Sequence, residues 1–231
     1  RRPTWKPAFK SSYSQAAVQI HQRFFVKMEV KFMKTIVCHG DSLTEGSDLE
    51  NNFTWPQLVE NQIQVTVLNR GIGGDTSGGL LGRFYPDVIR YQPEIVVILA
   101  GTNDLWWDLD INLILANIFA MTSQAKYRNI VPIVGLPLPM QMESIRHQNM
   151  MAPIAGWEKC LDKLSELVDA LASAAKGSDI ACLDFYHPFI DKNENVRGQY
   201  FLEDGLHPNK QGHRLMAEKM VELLRSLFYF S

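Results

Sequence analysis

The segment Thr35-Ile36-Val37-Cys38-His39-Gly40-Asp41-Ser42-Leu43-Thr44 joins a short apolar run to a turn that carries a serine. The apolar run has the non-alternating pattern of a strand that is buried on both faces of a parallel sheet. Gly40 permits a tight turn directly after it. Taken alone, a serine at this position is most often a turn or capping residue. We assign Ser42 as a nucleophile, a role that requires a base nearby.

Four more apolar runs of strand length follow, and none of them alternates with polar residues. Helical patterns separate the runs, so the sequence predicts a doubly wound α/β fold with right-handed crossovers. In such a fold the functional site lies at the carboxyl ends of the strands. The predicted strands are Thr35–Cys38, Val65–Leu68, Ile95–Ala100, Ile130–Leu136 and Ile180–Leu183.

Capping residues and helical periodicity predict the main helices. Thr54-Trp55-Pro56-Gln57 has the spacing of a capping box with proline in the first turn. Asp110 and Asn209 are each placed to cap a helix, and Gly177 is placed to stop one. The predicted helices span approximately 54–61, 110–125, 154–175 and 209–228.

A glycine-rich loop, Gly71-Ile72-Gly73-Gly74-Asp75-Thr76, follows the second predicted strand. One interpretation is a cradle for phosphate or flavin, which would make the chain a non-catalytic flavodoxin-like module. However, the spacing matches neither the dinucleotide-binding fingerprint nor a P-loop. Glycine also lets a backbone amide approach a ligand closely, and we favour the Gly74 N–H as a donor to an oxyanion.

Asn103 follows the third predicted strand, within Gly101-Thr102-Asn103-Asp104. Its structural interpretation is an Asx-turn. Its functional interpretation is a side-chain amide aimed at a developing negative charge. In that case Ser42 N–H, Gly74 N–H and the Asn103 side chain together form an oxyanion hole.

Asp204-Gly205-Leu206-His207-Pro208 supplies a carboxylate and an imidazole close together. Singly, Asp204 can be a turn residue and His207 a cap of the final helix. In a turn, however, the carboxylate can fold back onto Nδ1 of the imidazole, which leaves Nε2 free to face Ser42. The sequence therefore predicts a catalytic triad of Ser42, His207 and Asp204.

Composition excludes several other classes of protein. The formal net charge of the 231 residues is −2, which gives no sign of a nucleic-acid or anionic-membrane partner. No run approaches the roughly 20 apolar residues that span a bilayer. Cys38, Cys160 and Cys182 are too few for a disulfide framework and are interpreted as buried apolar residues. Neither the cysteines nor the histidines have zinc-site spacing, so no metal is predicted.

The first 32 residues are predicted to be an N-terminal extension, and 33–231 to be the catalytic domain. The extension has basic residues but lacks the pattern of a signal peptide, so a cytoplasmic location is expected. Residues 16–30 can form an amphipathic helix. Apolar residues in the extension, such as Phe24 and Phe25, would need cover, and a homodimer is one arrangement that supplies it.

With these residues identified, the chain resembles the SGNH hydrolases, also called the GDSL esterase/lipase family, over roughly residues 34–226. The compact spacing is similar to bacterial arylesterases, thioesterases and lysophospholipases. The resemblance implies a flavodoxin-like three-layer α/β/α sandwich with a five-stranded parallel sheet of order 2-1-3-4-5. It also implies hydrolysis of a small-molecule ester through an acyl-enzyme, without a cofactor. The family blocks are Gly40-Asp41-Ser42-Leu43, Gly74 in its glycine-rich loop, Asn103 in Gly-Thr-Asn-Asp, and Asp204 with His207.

The substrate pocket is less defined by the sequence. Asp41, Trp106, Trp107 and Leu136 are the candidate pocket residues, although the tryptophans can equally pack in the core. The segment 136–151 is long and rich in methionine, and is interpreted either as a lip over the pocket, with Met140–Met151 as its lid, or as a self-packed surface loop. Esters with short acyl chains or aryl groups are the expected substrates. Carbohydrate O-acetyl esters, lysophospholipids and thioesters are the alternatives.

Overall fold

Five parallel strands form a single sheet in this protein, seen in a computed structural model that describes residues 35–145 and 151–227. The strand order is β2-β1-β3-β4-β5, which confirms the predicted order. Each strand lies on its predicted apolar run, and the first two extend to Gly40 and Gly71. The strands are β1 (Thr35–Gly40), β2 (Thr66–Gly71), β3 (Ile95–Leu99), β4 (Val131–Leu136) and β5 (Ala181–Asp184).

Helices lie between the strands, as the prediction of a doubly wound fold requires. Short 3₁₀ turns add to them at Asn51–Phe53, Ile89–Tyr91, His187–Phe189 and Gly198–Tyr200. The helices of the described residues are α1 (Ser42–Glu45), α2 (Trp55–Ile63), α3 (Ser77–Gly82), α4 (Phe84–Asp87), α5 (Thr102–Trp106), α6 (Ile111–Tyr127), α7 (Met142–Ile145), α8 (Trp157–Gly177) and α9 (Lys210–Leu227).

Strand β1 lies in the interior of the sheet, where Val37 pairs with Leu68 of β2 on one side and Val96 of β3 on the other. The chain leaves β1 toward β2 and later leaves β3 toward β4, so the strand order reverses between β1 and β3. Parallel sheets bind ligands at the carboxyl ends of the strands beside such a reversal. The fold therefore places the loops after β1 and β3 on either side of one crevice.

Both faces of the sheet are covered, which gives the three-layer arrangement. Successive strand side chains point to opposite faces. On one face, Val37 and Val96 pack in a cluster that includes residues of α6 and α8. The alternate strand positions, such as Ile36 and Val97, are also fully buried, and Trp55 of α2 packs edge-to-face on the ring of Phe185 after β5.

Two predicted helix caps are confirmed. The side chain of Asp110 accepts a hydrogen bond from the Asn112 amide at 2.8 Å. The Asn209 Oδ1 accepts from the amides of Gln211 and Gly212 at 2.9 and 3.1 Å. These caps are local interactions of a side chain with the next turn, and for that reason the sequence alone identifies them.

The predicted capping box at Thr54 is wrong. Its hydroxyl donates to the Asn51 carbonyl at 2.9 Å instead of accepting from the helix. The Trp55 amide at the start of α2 donates to Nδ1 of His213, a buried residue of α9, at 3.1 Å. A contact between residues 158 positions apart thus replaces a local cap, and no local pattern signals it.

Helix α8 begins three residues later than predicted, at Trp157. The Ile154 amide donates to the Trp106 carbonyl at 3.0 Å, and Gly156 has a φ of +83°, so neither residue continues a helix backward from Trp157. Gly177 is the last residue of α8 and Ser178 follows as its cap.

Several predictions fall outside the described residues. They are the N-terminal extension, its amphipathic helix and the homodimer that would cover it. The sheet and the helices that connect its strands lie in one compact unit. Among the helices described, none combines the length and the apolar character needed to cross a membrane.

We expect His213→Leu to lower the free energy of unfolding at neutral pH by about 1–3 kcal/mol, because the buried Trp55 amide loses its acceptor. Burial lowers the pKa of His213 to about 4, with the charge of His207 acting in the same direction. An unfolded histidine titrates near 6.5, so the contribution of neutral His213 is complete above that pH and is lost as the pH falls toward 4.

Urea unfolding of wild type and His213→Leu between pH 7 and pH 4 measures both effects, and the variant should show the weaker loss of stability on acidification. His187→Leu, at an exposed histidine, is the matched control and should change stability by less than about 0.5 kcal/mol. Equal effects of the two substitutions would contradict the role assigned to His213.

Candidate active site

Ser42 is the first residue of α1, two residues after the end of β1 at Gly40. The preceding Asp41 caps this helix, since its Oδ1 accepts from the Leu43 amide at 2.9 Å. The Ser42 amide belongs to the first turn, whose N–H groups have no acceptor within their own helix. The serine therefore presents its hydroxyl and its amide at the carboxyl edge of the sheet.

The structure brings Ser42, His207 and Asp204 together. Oγ of Ser42 lies 2.9 Å from Nε2 of His207. Nδ1 of the same imidazole lies 2.6 Å from Oδ2 of Asp204. In the neutral tautomer that fits both contacts, Nδ1–H donates to the carboxylate and Nε2 accepts from the hydroxyl. The 165 positions that separate Ser42 from His207 are bridged by the fold alone.

The Asp204–His207 turn is held by its own backbone. Oδ1 of Asp204 accepts from the amides of Leu206 and His207 at 2.9 and 3.0 Å, which leaves Oδ2 to meet the imidazole. Gly205 has a φ of +70°, and a Cβ there would collide with the carbonyl oxygen of Gln141. The Gln141 amide also donates to the Gly205 carbonyl at 2.8 Å, so the chain after β4 supports the turn.

The charges of the turn favour an ion-pair-like state. Burial by itself would raise the pKa of Asp204, but the hydrogen bonds from His207 and Leu206 outweigh it and lower that pKa. Burial by itself would lower the pKa of His207, but the bond and charge of Asp204, with the charges of Asp41 and Asp48, raise it. The imidazole is thus a stronger base than an isolated histidine.

Gly74 and Asn103 lie close to each other at the same edge. Nδ2 of Asn103 donates to the Asp75 carbonyl at 2.9 Å, which joins the loop after β2 to α5. Its other contact, to Oδ2 of Asp41, is long at 3.4 Å. Gly74 has a φ of +75°, and nothing lies within 4 Å of the position a Cβ would occupy. Space beside the Gly74 backbone is therefore open.

Two further carboxyl groups, those of Asp41 and Asp104, are buried at this edge of the sheet. Burial raises the pKa of Asp41 to about 7, although the Leu43 amide and the charge of His207 oppose this. Burial also raises the pKa of Asp104, against hydrogen bonds from Ser77. Asp104 accepts from the Ser77 hydroxyl and amide at 2.5 and 2.9 Å, which connects α5 to the start of α3.

The candidate pocket residues have different environments. Trp106 and Trp107 follow Asn103 by three and four positions, which is the spacing of one helix face. The ring of Trp106 packs edge-to-face on Trp157 at 5.0 Å, while Trp107 is 48% exposed. Leu136 is buried at the end of β4.

The segment after β4, interpreted from the sequence as a lip or a surface loop, is divided. Leu138, Met140 and Ile145 are buried, so its first part packs on the domain. Met151, at the other end, is 65% exposed. Residues 146–150 lie outside the described part of the chain.

A second Asp–His pair was missed from the sequence. Asp184-Phe185-Tyr186-His187-Pro188 has the same spacing as the turn at Asp204. Oδ1 of Asp184 accepts from two backbone amides, and Oδ2 lies 2.9 Å from Nδ1 of His187. Both side chains are about half exposed, and the ring of His187 packs edge-to-face on Tyr186. The Asp-x-x-His-Pro motif is therefore not sufficient for a site, since it occurs twice and, within the described part of the chain, only His207 contacts a serine.

Within residues 35–145 and 151–227, no group of three or more His, Cys, Asp or Glu side chains is arranged to hold a metal ion. The three cysteines are free thiols, and burial raises the pKa of each.

The chain is similar in sequence to curated esterases and in structure to a GDSL-like lipase. Thioesterase 1/protease 1/lysophospholipase L1 of Escherichia coli is 25% identical over 195 residues, which cover 84% of each chain. The arylesterase of Vibrio mimicus is 24% identical over 191 residues, covering 80% of this chain and 85% of the relative. A crystal structure of a GDSL-like lipase from Bacteroides thetaiotaomicron matches with a TM-score of 0.68 at 26% identity, over 91% of this chain and 97% of that one.

A family model gives the broader assignment. It is described as the GDSL-like Lipase/Acylhydrolase family and matches residues 38–215. This range begins within β1 and ends within α9, so it contains all of the loops that meet at the carboxyl edge of the sheet. The chain belongs to the GDSL-like lipase/acylhydrolase family and is a carboxylic ester hydrolase.

Proposed function

We propose that Ser42, His207 and Asp204 form the catalytic triad of this hydrolase, and that it cleaves esters with short acyl chains or aryl groups through an acyl-enzyme. The observation that carries the proposal is the continuous hydrogen-bond chain from Oγ of Ser42 through the imidazole to Oδ2 of Asp204, with distances of 2.9 and 2.6 Å. A hydroxyl, a base and an orienting carboxylate in this order are the requirements for nucleophilic attack by serine.

In the first half of the reaction, Nε2 of His207 takes the proton of Ser42 as Oγ attacks the carbonyl carbon of the ester. The tetrahedral intermediate collapses, the bond to the leaving oxygen breaks, and the imidazolium donates its proton to the departing alcohol. Water then attacks the acyl-serine with the same base, and the acid is released. Asp204 keeps the imidazole in the required tautomer and stabilises its charged form.

Three donors are proposed to stabilise the oxyanion. They are the Ser42 amide at the start of α1, the Gly74 amide beside open space, and the side-chain amide of Asn103. The long contact from Asn103 to Asp41 is the one that a substrate oxygen would replace, since the other donates to a carbonyl at 2.9 Å. Loss of one such donor typically costs about 10²–10³ in turnover.

The preference for short acyl chains or aryl groups is supported by Trp106. It lies one helical turn from Asn103, and its ring is fixed by Trp157 on one side while its carbonyl accepts from the Ile154 amide. A fixed aromatic side chain one helical turn from Asn103 suits an ester with a small or flat acyl group better than one with a long flexible chain.

We expect Ser42→Ala to reduce kcat for p-nitrophenyl acetate by at least about 10³-fold, because among residues 35–145 and 151–227 no other hydroxyl is hydrogen-bonded to His207. Wild type should also react stoichiometrically with a fluorophosphonate, and the variant should not. Near wild-type turnover by a purified, folded Ser42→Ala sample would show that the triad is wrongly assigned.

His207→Ala should reduce kcat to a similar extent, whereas His187→Ala should leave it within about twofold of wild type. Both histidines sit in the same Asp-x-x-His-Pro turn with the same carboxylate contacts, so the pair separates the catalytic contact with Ser42 from the local motif. Equal losses in the two variants would mean that the turn matters for another reason.

The pH profile of kcat/KM should have an acid limb above the usual histidine pKa of about 6.5, because activity requires neutral His207 and its pKa is raised. Asp204→Asn should move this limb to lower pH and reduce the rate by about 10²–10⁴-fold. Of the other nearby groups, Asp41 and Asp48 also raise this pKa and remain in the variant. Asp184→Asn is the control, and a shifted limb in that variant would contradict the assignment.

A substrate panel tests the proposed specificity. Among p-nitrophenyl acetate, butyrate, octanoate and laurate, kcat/KM should be highest for the two shortest esters, since the proposed pocket has Trp106 as a fixed aromatic wall. Acetylated xylan, a lysophospholipid and a thioester complete the panel, and Ser42→Ala gives the background rate. A maximum at laurate, or a higher value for any of the last three substrates, would overturn the preference without affecting the triad.

A further inference from the structure

We infer that Arg83 is a positioning residue that holds the proposed oxyanion hole in shape through the carboxylate of Asp75. The inference rests on the proposed function, because it assigns a role in the same reaction. It depends on one guanidinium group that contacts the segments carrying Ser42 and Gly74 directly and reaches Asn103 through Asp75. A second carboxylate, that of Asp87, binds the same guanidinium group and serves as the comparison.

Arg83, in the connection between α3 and α4, contacts the ends of both β1 and β2. Nη2 donates to the Gly40 carbonyl at 2.8 Å, two residues before Ser42. Nη1 donates to the Arg70 carbonyl at 2.9 Å, at the start of the glycine-rich loop. A guanidinium group has a planar set of donors with fixed directions, so these two bonds fix the separation of the two strand ends.

The third contact of Arg83 is with Asp75, in the glycine-rich loop that carries Gly74. Nε of Arg83 donates to Oδ2 of Asp75 at 2.6 Å. Asp75 directly follows Gly74, and its carbonyl accepts from Nδ2 of Asn103 at 2.9 Å. A displacement of Asp75 would therefore move the Gly74 amide and remove the bond that orients Asn103.

The fourth contact provides a comparison within the same side chain. Nη1 of Arg83 donates to Oδ2 of Asp87 at 2.6 Å, the same distance as the bond to Asp75. Asp87 ends α4 and has no contact with the loops that carry the proposed donors among the hydrogen bonds of residues 35–145 and 151–227. The side chains of Arg83, Asp75 and Asp87 are 16, 15 and 24% exposed, so the two ion pairs are similarly sheltered from water.

His39 contributes a further contact that fits a fixed guanidinium. Its Nε2 donates to the Leu80 carbonyl at 2.9 Å, and its Nδ1, which then carries no proton, lies 3.4 Å from Nη1 of Arg83, whose two N–H groups donate to Arg70 and Asp87. The imidazole of His39 is therefore neutral, and the positive charge of Arg83 is balanced by the carboxylates of Asp75 and Asp87.

Gly79 of α3 makes room for the Asp75 carboxylate. A Cβ at this position would occupy the space of Oδ1 of Asp75. That oxygen also accepts from the Thr76 amide at 2.9 Å. The absence of a side chain at Gly79 is thus tied to the position of Asp75. Gly82, in the same helix, has nothing within 4 Å of its would-be Cβ.

The first experiment compares Asp75→Asn with Asp87→Asn in the full chain. Each substitution removes one carboxylate from the same guanidinium. We expect Asp75→Asn to lower kcat for p-nitrophenyl acetate by about tenfold or more, with KM within about twofold of wild type, because an oxyanion donor acts mainly in the transition state. Asp87→Asn should leave kcat within about twofold.

The pH profile supplies a readout that separates the oxyanion hole from the triad. Asp75 has no contact with His207 among the described hydrogen bonds, so the acid limb of kcat/KM should keep its position in Asp75→Asn while the plateau falls. A moved limb would show that Asp75 acts through the imidazole, which would overturn the inference.

The second experiment compares Gly79→Ala with Gly82→Ala. Alanine has a higher helix propensity than glycine. A fall in the unfolding temperature of either variant would therefore indicate that the added methyl group is crowded. Gly79→Ala should displace the Asp75 carboxylate and lower kcat by about tenfold, whereas Gly82→Ala should not change it.

Equal kcat values within both pairs of variants would overturn the inference, and so would equal losses accompanied by equal falls in thermal stability. If Ser42→Ala also retained full activity, the proposed function itself would have failed. If Ser42→Ala were inactive while Asp75→Asn and Asp87→Asn behaved alike, only the role of Arg83 would be wrong.

Discussion

Parallel pairing of β1 with both β2 and β3 is the constraint on which the rest of this structure depends. In a parallel sheet the carboxyl ends of all strands lie at one edge, so the segments that follow β1, β2 and β3 must meet there. Those segments contain Ser42, the glycine-rich loop and Asn103. The strand order reverses between β1 and β3, which is where parallel sheets of this kind bind ligands. The pairing of the strands therefore determines which loops meet at this edge, and so where a site can form.

Three carboxyl groups are sheltered from water at this edge of the sheet: those of Asp41 and Asp104 are buried and that of Asp204 is half-buried. Burying a carboxylate costs free energy unless donors satisfy it. Asp41 caps α1, and Asp104 accepts from Ser77 twice, but burial still raises the pKa of both groups. Only Asp204 is held with a lowered pKa, because an imidazole and two amides donate to it. Of these three carboxyl groups, the one with a lowered pKa is therefore the one that contacts the imidazole of His207.

Much of the fold was predictable from local pattern. The five strands lie on the apolar runs, and the caps at Asp110 and Asn209 form as expected, because these signals depend on neighbouring residues. The failures lie where distant residues compete. His213 provides the acceptor at the start of α2, where a capping box was expected, and the contact between Ile154 and Trp106 delays the start of α8. The hydrogen bonds of Arg83 could not be predicted from the sequence either, since its partners lie in β1, in β2, in the glycine-rich loop and in α4.

The two Asp-x-x-His-Pro turns separate what the sequence by itself determined from what the tertiary structure decided. The sequence determined both turns, because a carboxylate that accepts from the next backbone amides also reaches the imidazole three residues on. It could not distinguish Asp184–His187 from Asp204–His207 by that local geometry. Only the fold decided that His207 lies 2.9 Å from Ser42, whereas His187 stays more than half exposed. The physical reason is range: hydrogen bonds within a turn are set by a few dihedral angles, but a contact across 165 positions is set by the packing of the whole sheet.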